Sequence, residues 1–285
     1  MPAELIFLGS GTSSGVPMIG CDCPVCTSDD PRDTRTRPSV LLRVADPTLE
    51  IDEADWRINP EQAGHRQYLI DTGPDLREQL LRERISRIDG VLYTHNHADH
   101  VFGLDELRRF SIGGDPQPVP LYLEHTTLDS FKRMFGYIFE SEKNLNRSFI
   151  PKLATHLIEP LGGFTLAGGL RVLPLRLMHG RQPILGFRFD VPGGRAIAYC
   201  TDCSSVPDAS VPHLDGLDVL VMDGLRYLPH PTHMDVLEAA DFILDRGATL
   251  GLLTHIAHDC GHARLAEKLP EPVAPAFDGL RVAFA

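Results

Sequence analysis

The chain has 285 residues, of which 42% are hydrophobic and 23% charged, and its formal net charge is −12 at pH 7. This composition is typical of an ordinary folded protein and excludes a fibrous or disordered chain. A protein this acidic attracts polyanions weakly, and no run of Lys and Arg supplies a local basic patch, so we expect no large nucleic acid among its partners.

The first residues, MPAELIFLGSG, carry an acidic Glu4 and only a short apolar run before Gly9. They lack the basic start and the long apolar region of a secretion signal, and no stretch approaches the roughly 18 apolar residues of a membrane helix. We therefore expect a cytoplasmic protein with reduced thiols and no membrane partner. The apolar run predicts a first strand, and the spacing of the glycines after it departs from that of a dinucleotide-binding loop.

Short apolar runs bounded by Gly, Pro and polar residues predict the other strands. We predict strands at 39–44, 67–73, 89–95, 119–123, 156–159, 163–166, 170–178, 184–190, 195–200, 218–224, 249–255 and in the C-terminal LRVAFA. Helical periodicity predicts helices at 75–85, 104–111, 126–142 and 233–246. No linker divides the chain, so we predict one domain over 1–285, with two packed sheets and helices outside them.

Four metal-binding side chains are crowded into YTHNHADH, directly after a predicted buried strand: His95, His97, Asp99 and His100. Alternate residues of an extended segment point the same way, so the first two imidazoles can face one ion. The next two side chains lie past the strand end and can face a neighbouring point. Imidazole and carboxylate suit Zn²⁺, Mn²⁺ or Fe²⁺. The segment therefore predicts a two-metal centre, and the alternative is a solvated His-rich loop.

Three further residues of metal-binding types each follow directly after an apolar run. Functional residues are often found at such strand ends. His179 follows VLPLRLM, Asp202 follows AIAYCT and His255 follows LGLLT. Taken singly, each would be an ordinary strand-end residue. Their shared context favours ligation together with the crowded segment.

Three of the six cysteines lie close together in GCDCPVC: Cys21, Cys23 and Cys26. Thiolates at this spacing can enclose a tetrahedral Zn²⁺ if one more ligand is supplied. The alternative is that they are buried small hydrophobic side chains. The glycine, aspartate and proline among them disfavour a core position, so the segment at about 20–27 predicts a zinc clip.

At this point the sequence resembles the metallo-β-lactamase superfamily, whose HxHxDH motif is met in full by HNHADH. Asp71 in LIDTG matches the usual strand-end aspartate of that superfamily. The resemblance implies an α/β (α+β) fold, a four-layer αββα sandwich with metals in a cleft at one sheet edge. It also implies that one ion is held by His95, His97 and His179 and the other by Asp99, His100 and His255, with Asp202 bridging them.

The cysteine segment is similar to one branch of that superfamily, the phosphodiesterases acting on phosphoribosyl 1,2-cyclic phosphate in the carbon–phosphorus lyase pathway. The resemblance implies that His258, in THIAH, completes the structural zinc site, with Cys260 and His262 as nearby alternatives. It also implies that His233, in PTHMDVLEAA, is a general acid near the leaving oxygen, with His230 as the poorer match.

We therefore predict a phosphodiesterase that hydrolyses a small cyclic phosphodiester with hydroxide held by two divalent ions, Zn²⁺ or Mn²⁺, beside one structural Zn²⁺. His233 and Asp99 are the predicted catalytic residues. A homodimer is suggested by the resemblance alone. The alternatives are a tRNA 3′-end endonuclease or other nucleotide phosphodiesterase and, in a different class, a non-hydrolytic metal-binding module. Segments 45–66 and 125–150 depart from the branch, and substrate-recognition loops are expected there.

Overall fold

A computed structural model of the chain describes residues 3–46, 48–49, 64–111, 117–140, 142, 144 and 149–284. One seven-stranded sheet has the order β14-β1-β2-β3-β4-β5-β6. Its strands are β1 (Ala3–Gly9), β2 (Ser39–Ala45), β3 (His65–Ile70), β4 (Gly90–Leu92), β5 (Val119–Leu123), β6 (Leu153–Leu157) and β14 (Arg281–Phe284).

The second seven-stranded sheet has the order β13-β12-β11-β10-β9-β8-β7. Its strands are β7 (Phe164–Thr165), β8 (Arg171–His179), β9 (Gln182–Val191), β10 (Arg195–Cys200), β11 (Val219–Asp223), β12 (Leu250–Thr254) and β13 (Val273–Pro275). The α-helices are α1 (Leu76–Arg82), α2 (Ala98–Val101), α3 (His125–Met134), α4 (Gly136–Phe139), α5 (Val236–Arg246) and α6 (His262–Lys268), and a 3₁₀ helix spans Leu104–Ser111.

Both sheets are mixed, and they are built alike. The strands from β14 to β3 pair antiparallel, and those from β3 to β6 pair parallel. In the second sheet β7 to β10 pair antiparallel, and β10 to β13 pair parallel. Because parallel strands end at the same sheet edge, the loops that follow β3, β4, β10, β11 and β12 come together at one side of the molecule.

Alternation along the strands divides the buried side chains between three cores. In β1, Leu5 and Phe7 point into a core shared by both sheets, while Ile6 and Leu8 pack with α1 and the 3₁₀ helix on the outer face. The outer face of the second sheet packs against α5 and α6. Helices therefore cover both outer faces of a sheet pair, and the predicted αββα sandwich is confirmed.

The main errors of the sequence prediction concern short elements. The helix predicted at 126–142 is two helices, α3 and α4, and the helix predicted at 233–246 begins only at Val236. α2, α6 and β13 were not predicted, because elements of three to seven residues are shorter than a window that reveals periodicity. The predicted loop 45–66 and the end of segment 125–150 lie largely outside the described residues.

None of the helices within the described ranges is both long enough and apolar enough to span a membrane.

Candidate metal centre

The seven predicted ligands all lie where strands end. The HNHADH loop follows β4, His179 ends β8, Asp202 follows β10 and His255 follows β12. Asp202 and His255 have φ of 56° and 59°, and Asp71 after β3 has φ of 62°. Residues other than glycine rarely adopt this left-handed backbone conformation, which costs about 1 kcal/mol or more. Such strain persists where the geometry of a functional site requires it.

One half of the site is built around the carboxylate of Asp202. Its Oδ2 lies 3.1 Å from His100 Nε2, and its Oδ1 lies 3.2 Å from His255 Nε2. Asp99 Oδ2 lies 3.5 Å and 3.6 Å from the same two nitrogens. The four ligand atoms are all within 4.8 Å of one another, an arrangement that could surround one cation.

The other half consists of three imidazole rings. The ring centroids of His95 and His97 are 4.5 Å apart, and those of His97 and His179 are 5.0 Å apart. The His95 and His179 centroids are separated by 5.7 Å. The structure thus brings together all seven residues that the sequence singled out as catalytic-metal ligands, in two adjacent groups.

Hydrogen bonds to Nδ1 fix the orientation of several rings. His100 Nδ1 lies 2.7 Å from Asp71 Oδ2, which also accepts from Thr94 Oγ1 at 2.7 Å. The same Thr94 hydroxyl is 3.0 Å from His95 Nδ1, and His179 Nδ1 donates to the carbonyl oxygen of Thr232 at 2.8 Å. A proton held on Nδ1 leaves Nε2 free as a ligand.

The inward Nε2 atoms fit a metal. Those of His95, His100 and His255 are buried and have no hydrogen-bond partner. Buried polar atoms are almost always paired, so three unpaired nitrogens, two of them beside the Asp202 carboxylate, indicate a cation-binding site. Nitrogen and carboxylate ligands of this kind suit divalent transition metals.

Electrostatics distinguish the two halves. Burial lowers the pKa of His95, His97 and His179, which keeps these rings in the neutral form that binds metals. Burial also opposes charge on His100 and His255, but the Asp202 carboxylate outweighs it and raises their pKa, that of His255 to about 9. The negative field that attracts protons to these two nitrogens would equally attract a cation.

The loop that carries His95 and His97 is tied to its surroundings through Asn96. Asn96 Oδ1 accepts from Gln182 Nε2 at 3.1 Å, and its Nδ2 donates to Ser130 Oγ at 2.8 Å. Gln182 begins β9, three residues after His179, and Ser130 lies in α3. The side-chain amide of Asn96 therefore links the HNHADH loop to the β8–β9 hairpin, which carries His179.

His233 lies beside the ligands with its ring stacked on that of His255, at a centroid distance of 4.8 Å and an interplanar angle of 14°. His233 Nδ1 is 2.6 Å from Asp223 Oδ2. The ring of His230, the alternative from the sequence, is 5.1 Å from that of His233, and its Nδ1 instead contacts Thr232. The residue preferred from the sequence is thus the one next to the ligand cluster.

Asp223 was not predicted as a functional residue. It ends β11, is fully buried, and its second oxygen, Oδ1, has no hydrogen-bond partner. The signal that could have found it is the one that found Asp202 and His255, because a lone acidic residue follows the apolar run VLVM.

The four residues predicted for the zinc clip also meet. The Nδ1 atom of His258 lies 3.4 Å from Cys21 Sγ and 3.3 Å from Cys23 Sγ, and Cys26 Sγ completes a group within 4.8 Å. The alternatives do not join this group. Cys260 is buried elsewhere, and the ring of His262 packs edge-on against Phe277.

Comparisons with known proteins agree with this architecture. A family model described as "Beta-lactamase superfamily domain" matches residues 66–256. A solved structure described as a new diphosphatase from the PhnP family is 40% identical, with a TM-score of 0.83 over 100% of this chain and 98% of that one. The resemblance suspected from the cysteine segment is confirmed at the level of this branch.

Two curated relatives carry other names. The octanoyltransferase of Porphyromonas gingivalis strain W83 is 36% identical over 277 residues, 96% of this chain but 50% of that protein. The chain thus spans about half the length of that relative. The coenzyme PQQ synthesis protein B of Methylobacterium sp. strain 4-46 is 31% identical over 250 residues, 79% of this chain and 74% of that protein.

Proposed function

The chain belongs to the beta-lactamase superfamily, and we propose that it is a metal-dependent hydrolase of small phosphate compounds, with a cyclic phosphodiester as the first candidate substrate. The observation that carries the proposal is the group of buried, unpartnered Nε2 atoms around the Asp202 carboxylate. A pair of divalent ions bound there would activate a water and neutralise charge on phosphoryl oxygens.

In this proposal each predicted ligand keeps its role. Both oxygens of Asp202 face the half that contains Asp99, His100 and His255. One oxygen of the same carboxylate also lies within 4.8 Å of a ring nitrogen of His179, which places Asp202 between the two halves. The proposed ligands of one ion are His95, His97 and His179, and those of the other are Asp99, His100 and His255. Zn²⁺ and Mn²⁺ both suit this donor set.

His233 is the proposed proton donor to the leaving oxygen. Burial raises the pKa of Asp223, and burial together with the charge of His255 lowers the pKa of His233 to about 4. The pair is then neutral, with the Asp223 proton shared with His233 Nδ1 and a second proton on His233 Nε2. As Nε2 gives up its proton, the shared proton can move to Nδ1, which leaves the negative charge on the Asp223 carboxylate. That carboxylate stays hydrogen-bonded to His233 Nδ1 at 2.6 Å, and His255 Nδ1 lies 3.9 Å from its other oxygen.

A diphosphate is the second candidate substrate. The solved structure that is 40% identical over nearly its whole length is described as a diphosphatase. Both substrates lose a P–O bond to water at the same kind of centre. They differ in leaving group, since a departing phosphate needs less protonation than a departing sugar oxygen. A tRNA substrate is disfavoured by the net charge of −12.

A substrate panel tests the proposal. We expect the metal-reconstituted protein to hydrolyse ribose cyclic phosphates or a small diphosphate, with weaker turnover of bis(p-nitrophenyl) phosphate. Precursor tRNA and a thioester complete the panel, and metal-free protein is the control. Cleavage of tRNA or thioester alone would replace the proposed substrate class, and inertness toward the whole panel with metals bound would favour a non-hydrolytic metal-binding module.

The acid role of His233 predicts a dependence on the leaving group. We expect His233→Ala to lower kcat/KM by about 10²–10⁴-fold for a diester with an alkyl leaving group and far less for p-nitrophenolate, which departs without a proton. The control is His213→Ala, a histidine on the 3₁₀ turn Val211–Leu214, outside the site. Equal losses on both diesters would contradict a proton-donor role.

A further inference from the structure

Arg37 lies at the same sheet edge as the candidate metal centre. It precedes β2, next to the ends of β1 and β3. Gly73 separates it from the HNHADH loop: a Cβ on Gly73 would stand 2.4 Å from the carbonyl oxygen of Asp99 and 3.5 Å from Arg37 Cβ. A side chain at position 73 would push the two apart, so glycine allows Arg37 to pack close to the backbone of a proposed ligand.

The guanidinium of Arg37 is fixed but largely unused. Asp75 Oδ2 accepts from the Arg37 backbone N–H at 2.8 Å and lies 3.0 Å from Nε. Arginine has five side-chain N–H donors, and those on Nη1 and Nη2 have no acceptor within the part of the chain that the structure describes. The side chain is 29% exposed, so a ligand can reach these donors.

A turn from Thr12 to Gly15 lies against this guanidinium. Gly15 has φ of +66°, and a Cβ there would stand 3.1 Å from Arg37 Nη1. At its other end, Thr12 N donates to the carbonyl oxygen of Ile256 at 3.3 Å, immediately after His255. The turn therefore runs between the metal centre and Arg37.

The middle of the turn offers backbone donors of its own. The Gly15 N–H closes the turn on the Thr12 carbonyl at 2.8 Å. The N–H groups of Ser13 and Ser14 find no acceptor among the described residues, and the Ser13 side chain is exposed. Successive free N–H groups beside a guanidinium form the kind of concavity that binds phosphate oxygens.

We propose that Arg37 and the Thr12–Gly15 turn bind a second phosphate group of the substrate, distinct from the phosphorus that reacts. This subsite rests on the proposed function and narrows it to substrates with two phosphates, either a cyclic diester that also bears a phosphate monoester or a diphosphate. A chain of net charge −12 attracts such a polyanionic substrate weakly. The positively charged guanidinium of Arg37, held in place at the wall of the cleft, would therefore supply both affinity and orientation.

The test compares two substrates that differ only in the second phosphate: a ribose cyclic phosphate with and without a 5-phosphate. We expect Arg37→Ala in the metal-loaded protein to lower kcat/KM by about 10–100-fold on the phosphorylated substrate and less than about twofold on the other, since charged hydrogen bonds contribute about 1.5–3 kcal/mol. Arg37→Lys should retain part of the preference. Arg77→Ala, at an exposed arginine of α1, is the matched control and should change neither value.

Equal losses of kcat/KM on both substrates would mean that Arg37 only stabilises the structure through Asp75, and would overturn the subsite. No loss on either substrate would overturn it as well. If the wild-type protein hydrolyses neither substrate, the cyclic diester fails as the first candidate substrate of the proposed function. Calorimetric titration with ribose 5-phosphate, with ribose as the control, then tests the subsite separately. Binding that is lost in Arg37→Ala and kept in Arg77→Ala supports it, whereas binding unchanged by Arg37→Ala, or absent from the wild type, rejects it.

Discussion

Replacement of Asp202 by asparagine is expected to lower kcat/KM of the metal-loaded protein by about 10³-fold or more. The two oxygens of Asp202 face His100 Nε2 and His255 Nε2, at 3.1 Å and 3.2 Å. One oxygen of this carboxylate also lies within 4.8 Å of a ring nitrogen of His179. A neutral amide has one acceptor and one donor in place of two anionic acceptors, so it cannot supply anionic oxygens to both halves of the site. We also expect metal analysis to find fewer ions per chain.

Asparagine is the informative replacement because Asp202 has φ of 56° and is almost fully buried. Asparagine tolerates the left-handed conformation and keeps the side-chain volume, whereas alanine would add strain and a cavity. Asp208→Asn, at an exposed position of the same loop, is the control. A variant that keeps its full metal content and more than a tenth of the activity would rule out a bridging role for Asp202.

The proposed ligands of the catalytic metals could be predicted from the sequence because each has a signal in its immediate sequence context. HNHADH is a contiguous motif, and His179, Asp202 and His255 are single polar residues at the ends of apolar strands. Strand ends converge at one edge once the sheets form, so the order of such residues along the chain carries spatial information.

The supporting contacts were not accessible in this way. Asp223 could have been found by the strand-end rule, but its pairing with His233 depends on the ring orientation reached after folding. Arg37 stands in TRTRPSV, a stretch with several similar charges. Only the packing against Gly15 and Gly73 distinguishes it from Arg35, which is buried against Asp33.

Replacement of Cys23 by serine is expected to remove one zinc ion per chain and to destabilise the fold. The His258 Nδ1 atom lies 3.3 Å and 3.4 Å from two of the three sulfurs. A tetrahedral zinc ion separates its sulfur and nitrogen ligands by about 3.5–3.8 Å, so the cluster needs little adjustment to close on an ion. Stability supplied by zinc at about a thousandfold over its Kd is about 4 kcal/mol, so we expect Tm to fall by about 8 °C or more.

The same replacement should also impair the catalytic centre, because only two residues separate His258 from His255. Between them, Ile256 donates to the Ser10 carbonyl oxygen at 2.9 Å and accepts from Thr12 N at 3.3 Å. Without the zinc clip, one end of this short loop is no longer held in place. The position of His255, whose backbone has the left-handed conformation, then becomes less well fixed. Asp22→Asn is the control, because it changes an exposed residue between two of the cysteines without removing a proposed zinc ligand. Metal-free wild-type protein should match metal-free Cys23→Ser in Tm, because the stability difference comes from zinc. A variant with unchanged zinc content and Tm would refute the clip.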